Sequence, residues 1–306
     1  MRRLRLIEIH EQRWFPSELR TAVTDLLQFT LNLTRYHRAV APLLKVALNT
    51  AETKCVVDLC SGAGGPWPDL LDAMKSAEPV SVCLTDKYPN CASFERIQAS
   101  SQKRVTFATK PIDAGCVPPE LLGFRTLFNS FHHFQDGHAE HVLADAVRNG
   151  QGVALFEVSR RCPVTILATS LMALAAFLFL PFVRPFSFSL FAWTYLVPVL
   201  PFVMWFDGIV SCLRAHSLSE LRELASQPAM RSHEWWCGTL RAHTCMLPVT
   251  VLIGCPKRRV NETGRSLSHL CNQHSQEQPP VASGMMIARL VPVISKNGSL
   301  WNAAEK

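Results

Sequence analysis

The sequence predicts an α/β protein built on a mostly parallel sheet with helices on both faces. Three observations carry the prediction. From residue 55 to residue 157, short apolar runs suited to buried strands alternate with stretches of helical periodicity. The strand ends carry polar residues, Asp58, Asp86, Asp113, Asn129 and Glu157, and open parallel sheets bind ligands beyond the carboxyl ends of their strands. The first run, Cys55-Val-Val-Asp-Leu-Cys-Ser-Gly-Ala-Gly-Gly-Pro66, breaks into glycines. Glycine lets backbone N–H groups approach a ligand closely, and a nearby carboxylate accepts hydrogen bonds from its amino or hydroxyl groups.

Taken in order, residues 1–16 read as an extended arm ending at Trp14-Phe15-Pro16. Ser17 is the expected N-cap of a helix whose apolar stripe runs through Leu19, Val23, Leu26, Leu27 and Leu31. A second helical pattern follows through Ala39, Leu43, Leu44, Val46 and Ala47, and both helices are expected to cover the sheet and the mouth of the site. Val56, Val57 and Leu59 form the first strand, with a helix from about Trp67 to Leu71 beyond the glycines. Val80 to Asp86 is the second strand, Cys91 to Ser100 a helix, Val105 to Ala108 a third strand, and Phe124 to Asn129 a fourth. Gly137 to Arg148 reads as a helix and Gly152 to Glu157 as the fifth strand.

Beyond Arg160-Arg161 the character changes. Val164 to Leu180 carries no charge, Pro181 to Pro185 makes a break around Arg184, and Phe186 to Phe206 is again uncharged but interrupted by Pro198 and Pro201. An inserted apolar helical hairpin over 162–206 is expected. Seventeen helical residues reach about 26 Å against a hydrocarbon core of about 30 Å. Three arrangements are therefore open: a spanning hairpin, a monotopic one, or a buried insertion or oligomer contact. Arg160, Arg161 and Arg214 flank the insertion, which places the remainder of the chain on the cytoplasmic side if it spans. Ser217 with Glu220 reads as a capping box, and His233 to Leu240 with Pro248 to Ile253 as two strands of an antiparallel hairpin. The neighbouring Trp235 and Trp236 then face opposite ways, one as a candidate membrane-facing edge. The polar stretch 257–306 reads as a disordered tail, and the apolar run Met285 to Ile294 within it suggests no role.

The 306 residues carry a net charge of +7 and are 48% apolar. The basic residues are scattered, without a block or interleaved aromatic run, so a nucleic-acid partner is not expected. Eleven cysteines include no Cys-x-x-Cys pair. The first ten residues lack a signal-peptide pattern, so thiols are expected to stay reduced. His269-Leu-Cys271 with His274 is an isolated fragment of a metal pattern, and no metal site is expected.

The acids and glycines at these strand ends resemble those of class I S-adenosylmethionine-dependent methyltransferases over roughly residues 50–160. The resemblance implies a Rossmann-like, seven-stranded sheet completed by the antiparallel pair. It implies that Asp58, Cys60, Ser61, Gly62 and Gly64 hold the methionine part of S-adenosylmethionine. Asp86, beside Lys87, would grip the ribose hydroxyls and Asp113 the adenine, while Asn129 to Phe134 would line the methyl-transfer site. Cys60 and Ser61 stand where glycine and cysteine are common. The dinucleotide fingerprint Gly-x-Gly-x-x-Gly is not met, since Trp67 stands three residues after Gly64. The expected activity is methyl transfer to a hydrophobic or lipid-like acceptor at a membrane. The alternatives are a non-catalytic membrane scaffold or sensor, and a soluble methyltransferase that dimerises through the insertion. His132 and His133 are candidate bases, with packing at the strand end or capping as the competing roles, and Asn129 is read through the resemblance as a catalytic-site and cofactor-binding residue. Glu157 is read as a substrate contact or a partner of Arg160, Asp58 and Asp86 otherwise as helix caps, and Trp67 as a lid or a core anchor.

Overall fold

The computed structural model describes residues 2–74, 79–179, 188–241, 248–257 and 287–293. The expected break at Pro181 to Pro185 with Arg184, the His269–His274 fragment and most of the tail lie outside the described residues.

Two helices, α1 (Ser17–Leu33) and α2 (His37–Thr50), precede β1 (Cys55–Leu59). Then follow α3 (Trp67–Ala73), β2 (Ser81–Leu84), α4 (Cys91–Ser100), β3 (Val105–Phe107), β4 (Phe124–Phe128), α5 (Asp136–Arg148) and β5 (Val153–Glu157). The apolar segment forms α6 (Pro163–Phe179), α7 (Phe188–Phe191) and α8 (Val199–Arg214). The chain continues through α9 (Leu218–Ala225), β6 (His233–Arg241), β7 (Val249–Pro256) and β8 (Ile287–Pro292). The sheet runs β3-β2-β1-β4-β5-β7-β6-β8. Its first five strands pair in parallel and the last three are antiparallel.

The expected seven strands are therefore eight. Ile287–Pro292, within the stretch read as a disordered tail, pairs antiparallel with β6 from Trp236↔Pro292 to Arg241↔Ile287. An unpaired edge of β6 would leave backbone groups open, and this apolar run satisfies them. One sheet face buries residues of α2, α3 and α4 against Val56, Leu84, Phe128 and Phe156. The other buries α5 and α9 against Val57, Leu127 and Leu155. Trp235 and Trp236 do point to opposite faces, but both are buried in these cores, so neither marks a membrane-facing edge. Trp67 is a core anchor, fully buried and edge-on to Phe128.

Local capping follows the sequence in one place and departs from it in another. Ser217 and Glu220 form the expected capping box of α9. At α1 the cap position falls on Pro16, and Ser17 is the first helical residue with no capping bond. Proline cannot donate a backbone hydrogen bond and is well suited to a helix start.

The second apolar limb is not one helix. After α7 the chain makes a wide turn over Ala192–Leu196, Pro198 breaks it, and α8 then runs beyond Phe206 to Arg214 because Asp207, Val210 and Cys212 remain buried along it. Helix α6 packs along α8, and α8 packs on α1. Phe15, Leu19, Val23 and Leu26 meet Leu200, Val203 and Met204 there. The outer face of α6 stays open, with Val164, Leu167, Leu171, Leu174 and Leu178 each 57–74% exposed. Among the described residues no single helix is long and apolar enough to cross a membrane.

Candidate active site

A cavity of about 870 Å³ opens where the carboxyl ends of β1, β2 and β4 meet, covered by α1 and the N-terminal arm. Its floor is the loop after β1. Cys60 (φ 57°), Gly62 (φ 56°), Gly64 (φ 105°) and Gly65 (φ 57°) all adopt left-handed backbone. Cys60 takes a conformation that glycine adopts without steric cost. A Cβ on Gly64 would fall 2.0 Å from Ile97 Cδ1, so glycine there lets the loop close on α4. Burial pushes the Cys60 thiol up, with Asp86 and Asp58 adding to it, so the sulfur on the cavity wall stays protonated.

Asp58 lies beneath this floor rather than in the cavity. It is 1% exposed, and its carboxylate accepts hydroxyl bonds from Ser61 (2.6 Å) and Thr126 (2.6 Å). Burial raises its carboxyl to about 6 against the pull of those two donors. Asp86 does line the cavity. One of its oxygens accepts the Gly62 N–H (2.8 Å) and the other the Tyr88 N–H (2.8 Å), which fastens the end of β2 to the loop. Burial raises its carboxyl above the usual range. Lys87 is exposed at the rim, and Asp113 is an exposed wall residue whose carboxylate accepts the Gly115 N–H (2.8 Å). Asn129 adopts left-handed backbone (φ 50°), which asparagine tolerates better than most residues. Its Oδ1 accepts the Val158 N–H (2.7 Å), tying β4 to β5, while its buried Nδ2 has no partner.

The two histidines differ. His132 does not line the cavity. Its Nδ1 lies 2.7 Å from Glu157 Oε2, the other oxygen of Glu157 accepts the Phe131 N–H (2.6 Å), and burial is outweighed by these partners so that the Glu157 carboxyl is held down. Glu157 is thus committed to the turn after β4. His133 is on the cavity wall, 2.6 Å from Glu11 Oε1. Burial opposes its charge, but Glu8 and Glu11 raise its imidazole to about 9. His132 is thus not part of the cavity wall, and His133 meets the cavity with its Nδ1 held by Glu11.

Several wall residues carried no local signal in the sequence. Gln28 of α1 donates to Gly65 O (2.8 Å), and its Oε1 is buried without a partner, as is Ser130 Oγ. Arg20 donates to the carbonyls of His10 and Gln12 and stacks 4.9 Å over the Tyr88 ring. Arg20 and Gln28 reach the site only because α1 folds back across the strand ends, whereas Ser130 belongs to the Asn129–Phe134 stretch already read as lining it.

No protein-family model matches the chain, and no curated protein does. Solved structures similar to it include the O-methyltransferase NcsB1 of neocarzinostatin biosynthesis, crystallised with S-adenosylmethionine and 2-hydroxy-5-methyl naphthoic acid, at 18% identity and TM-score 0.39 over 72% of this chain and 57% of that one. An O-methyltransferase family protein from Burkholderia thailandensis matches at 15% identity and TM-score 0.40 over 74% of this chain and 58% of that one. A Zn-dependent alcohol dehydrogenase assignment from Rhodobacter sphaeroides matches at 14% identity and TM-score 0.38 over 72% of this chain and 98% of that one. This chain spans little more than half the length of the two methyltransferases. The sheet described above is α/β and Rossmann-like in its strand order, a scaffold on which function resides in the site rather than in the fold.

Proposed function

We propose that the chain is an S-adenosylmethionine-dependent methyltransferase acting on a small hydrophobic or lipid-like acceptor, attached to a membrane on its cytoplasmic side. The observation that carries the cofactor reading is that three strand ends open on one cavity, on whose wall Asn129 Nδ2, Ser130 Oγ and Gln28 Oε1 are buried without a hydrogen-bond partner among the described residues. Buried polar groups are normally satisfied, and these offer a donor, a hydroxyl and an acceptor to a polar ligand. Gly62 has nothing within 4 Å of a would-be Cβ, which leaves its backbone open to close approach. The residues therefore fit the cofactor. Bound S-adenosylmethionine supplies an electrophilic methyl group on a cationic sulfonium. Asp86 retains lone pairs for the ribose hydroxyls, Asp113 for the adenine amine, and the buried charge of Asp58 favours the cationic end from beneath the loop. The arm and α1 align the reactants and exclude water, which is most of what an in-line displacement asks of a protein.

Isothermal titration with S-adenosylhomocysteine tests this reading. Wild-type protein binds it, and Asp86→Ala weakens binding by roughly 100-fold, as expected for losing hydrogen bonds to a charged acceptor. Absence of binding to folded wild-type protein, or undiminished binding in the variant, sinks it.

The membrane part rests on the leucine stripe of α6 and the exposed Phe188, Leu196, Phe202 and Trp205 of the neighbouring limb. Burying a leucine side chain contributes about 1.5–3 kcal/mol, so this face suits attachment within the interface better than a full span. Flotation with anionic lipid vesicles checks it. The wild type is expected to float, the double variant Leu171→Glu/Leu174→Glu to remain at the bottom, and equal partition of the two proteins defeats the assignment.

A further inference from the structure

Glu8 is the centre of a buried cluster at the edge of the strand-end cavity. It is 1% exposed, yet its carboxylate faces three imidazoles: His133 Nδ1 at 3.5 Å, His132 Nε2 at 3.7 Å and His10 Nδ1 at 3.7 Å. Ser211 Oγ donates to Oε1 (3.0 Å), whereas Oε2 has no hydrogen-bond partner. The imidazole separations exceed hydrogen-bond length. Metal–ligand bonds of about 2.0–2.2 Å in a tetrahedron place the ligands roughly 3.3–3.6 Å apart; the His133 separation falls within that range and the His132 separation just beyond it. The ligand atoms of Glu8, His132 and His133 all lie within 4.8 Å of one another.

The surroundings favour coordination as well. Carboxylates of Glu157 can only accept, so the 2.7 Å contact places the His132 proton on Nδ1 and leaves the lone pair on Nε2, the nitrogen that faces Glu8. Orientation of an imidazole by an outer carboxylate is the usual support of a metal ligand. His10 Nδ1 is held by Asp207 at 2.8 Å much as His133 Nδ1 is by Glu11 at 2.6 Å, but His10 falls outside the group whose ligand atoms converge, Glu8, His132 and His133. Glu8, Glu11, Glu157 and Asp207 bring four carboxylates together; among the described residues they face Arg214, whose Nη1 lies 2.7 Å from Glu11 and 3.5 Å from Glu8, and the imidazole of His133, whose charged form Glu8 and Glu11 favour. Buried charge of one sign needs compensation.

We propose that Glu8, His132 Nε2 and His133 Nδ1 form a binding site for a divalent first-row transition ion. Two imidazoles with carboxylates suit zinc, iron(II) or manganese rather than calcium or magnesium. Binding releases the proton carried by His133 Nδ1 to solvent. The ion fastens the N-terminal arm to the turn after β4 at the edge of the cavity, where His133 and Glu11 are wall residues.

Cobalt(II) titration of the chelator-stripped full-length chain tests the site, with absorbance and the thermal midpoint as readouts. One ion per chain is expected, giving weak visible bands without the thiolate charge-transfer absorption that cysteine coordination would add, and raising the unfolding midpoint. Glu8→Gln, nearly isosteric, and His132→Gln are each expected to weaken binding by more than the roughly 10–100-fold typical of lost outer partners, whereas His10→Gln keeps the site. No saturable uptake by the folded wild type, thiolate bands, or unchanged affinity in Glu8→Gln would each overturn the proposal. Titrating the same stripped protein with S-adenosylhomocysteine separates a failure of the metal site from a failure of the cofactor reading.

Discussion

Asp58→Asn raises the thermal stability of the chain and weakens its hold on the cofactor. The carboxyl is 1% exposed and raised from 3.8 to about 6, first by burial and also by the charge of Asp86. Roughly two pKa units correspond to about 3 kcal/mol of unfavourable ionisation at neutral pH, as an order of magnitude. Between about pH 4 and 6 the folded chain binds more protons at this site than the unfolded chain, so stability falls as pH rises through that window, and the cost is complete above it. Asparagine keeps a carbonyl for the Thr126 hydroxyl and carries no charge. The midpoint is expected to rise by roughly 3–8 °C at pH 7.5, with a smaller gain near pH 4. Binding moves the other way. A cationic ligand prefers the ionised carboxylate, so wild-type affinity for S-adenosylmethionine falls about tenfold from pH 7 to pH 5, while the variant binds weakly and nearly independently of Asp58 titration. Scanning calorimetry with titration at both pH values checks this. A variant that melts lower at pH 7.5 would contradict the cost assigned to the buried charge.

The second large effect is expected from Asp207→Ala. This buried carboxylate of α8 accepts the backbone N–H groups of Ile9 (2.6 Å) and His10 (3.0 Å) and contacts His10 Nδ1 (2.8 Å). Hydrogen bonds to a charged group contribute about 1.5–3 kcal/mol each, and since the three share one acceptor a combined loss of about 3–5 kcal/mol is expected. The loss falls on the arm, which is otherwise fastened by Leu4 N–H to Leu213 O and by Arg3 to Arg214 O and Phe134 O. Amide exchange in residues 8–15 should accelerate well beyond that of β1 and β4. Affinity for S-adenosylhomocysteine should drop, because His10 and Glu11 lose their places in the cavity wall. Uniform acceleration across the whole sheet would instead mark Asp207 as a support of the global core.

Much of the site was readable before any fold was known. Strands β1 to β5 follow from apolar runs of strand length, and the loop from glycines at positions that take left-handed backbone. Asp86, Asp113 and Asn129 reach the cavity because strand ends in a parallel sheet share one edge. Asp58 was legible as the acid at the end of the first strand, but that its carboxylate turns beneath the loop was not. Which way that carboxylate turns depends on Thr126, a residue of the adjacent strand, and strand adjacency is not written in local pattern. His132 and His133 were legible as a pair near the site. Their separate roles were not, since the partners that decide them lie far along the chain: Glu157 of β5 for His132, and Glu8 with Glu11 of the N-terminal arm for His133.

What the sequence by itself determined is whatever depends on neighbours within about one turn or one strand: element type, the Ser217–Glu220 capping box and the left-handed glycine loop. The tertiary structure alone decided the eighth strand, the continuation of α8 through Asp207 to Arg214, the inward turn of Asp58 and the gathering of Glu8, His132 and His133. Each of these is a pairing of distant groups. The physical reason is that burial and hydrogen-bond satisfaction are settled by which surfaces meet, and a buried polar group is stable only beside the partner that the whole chain brings to it.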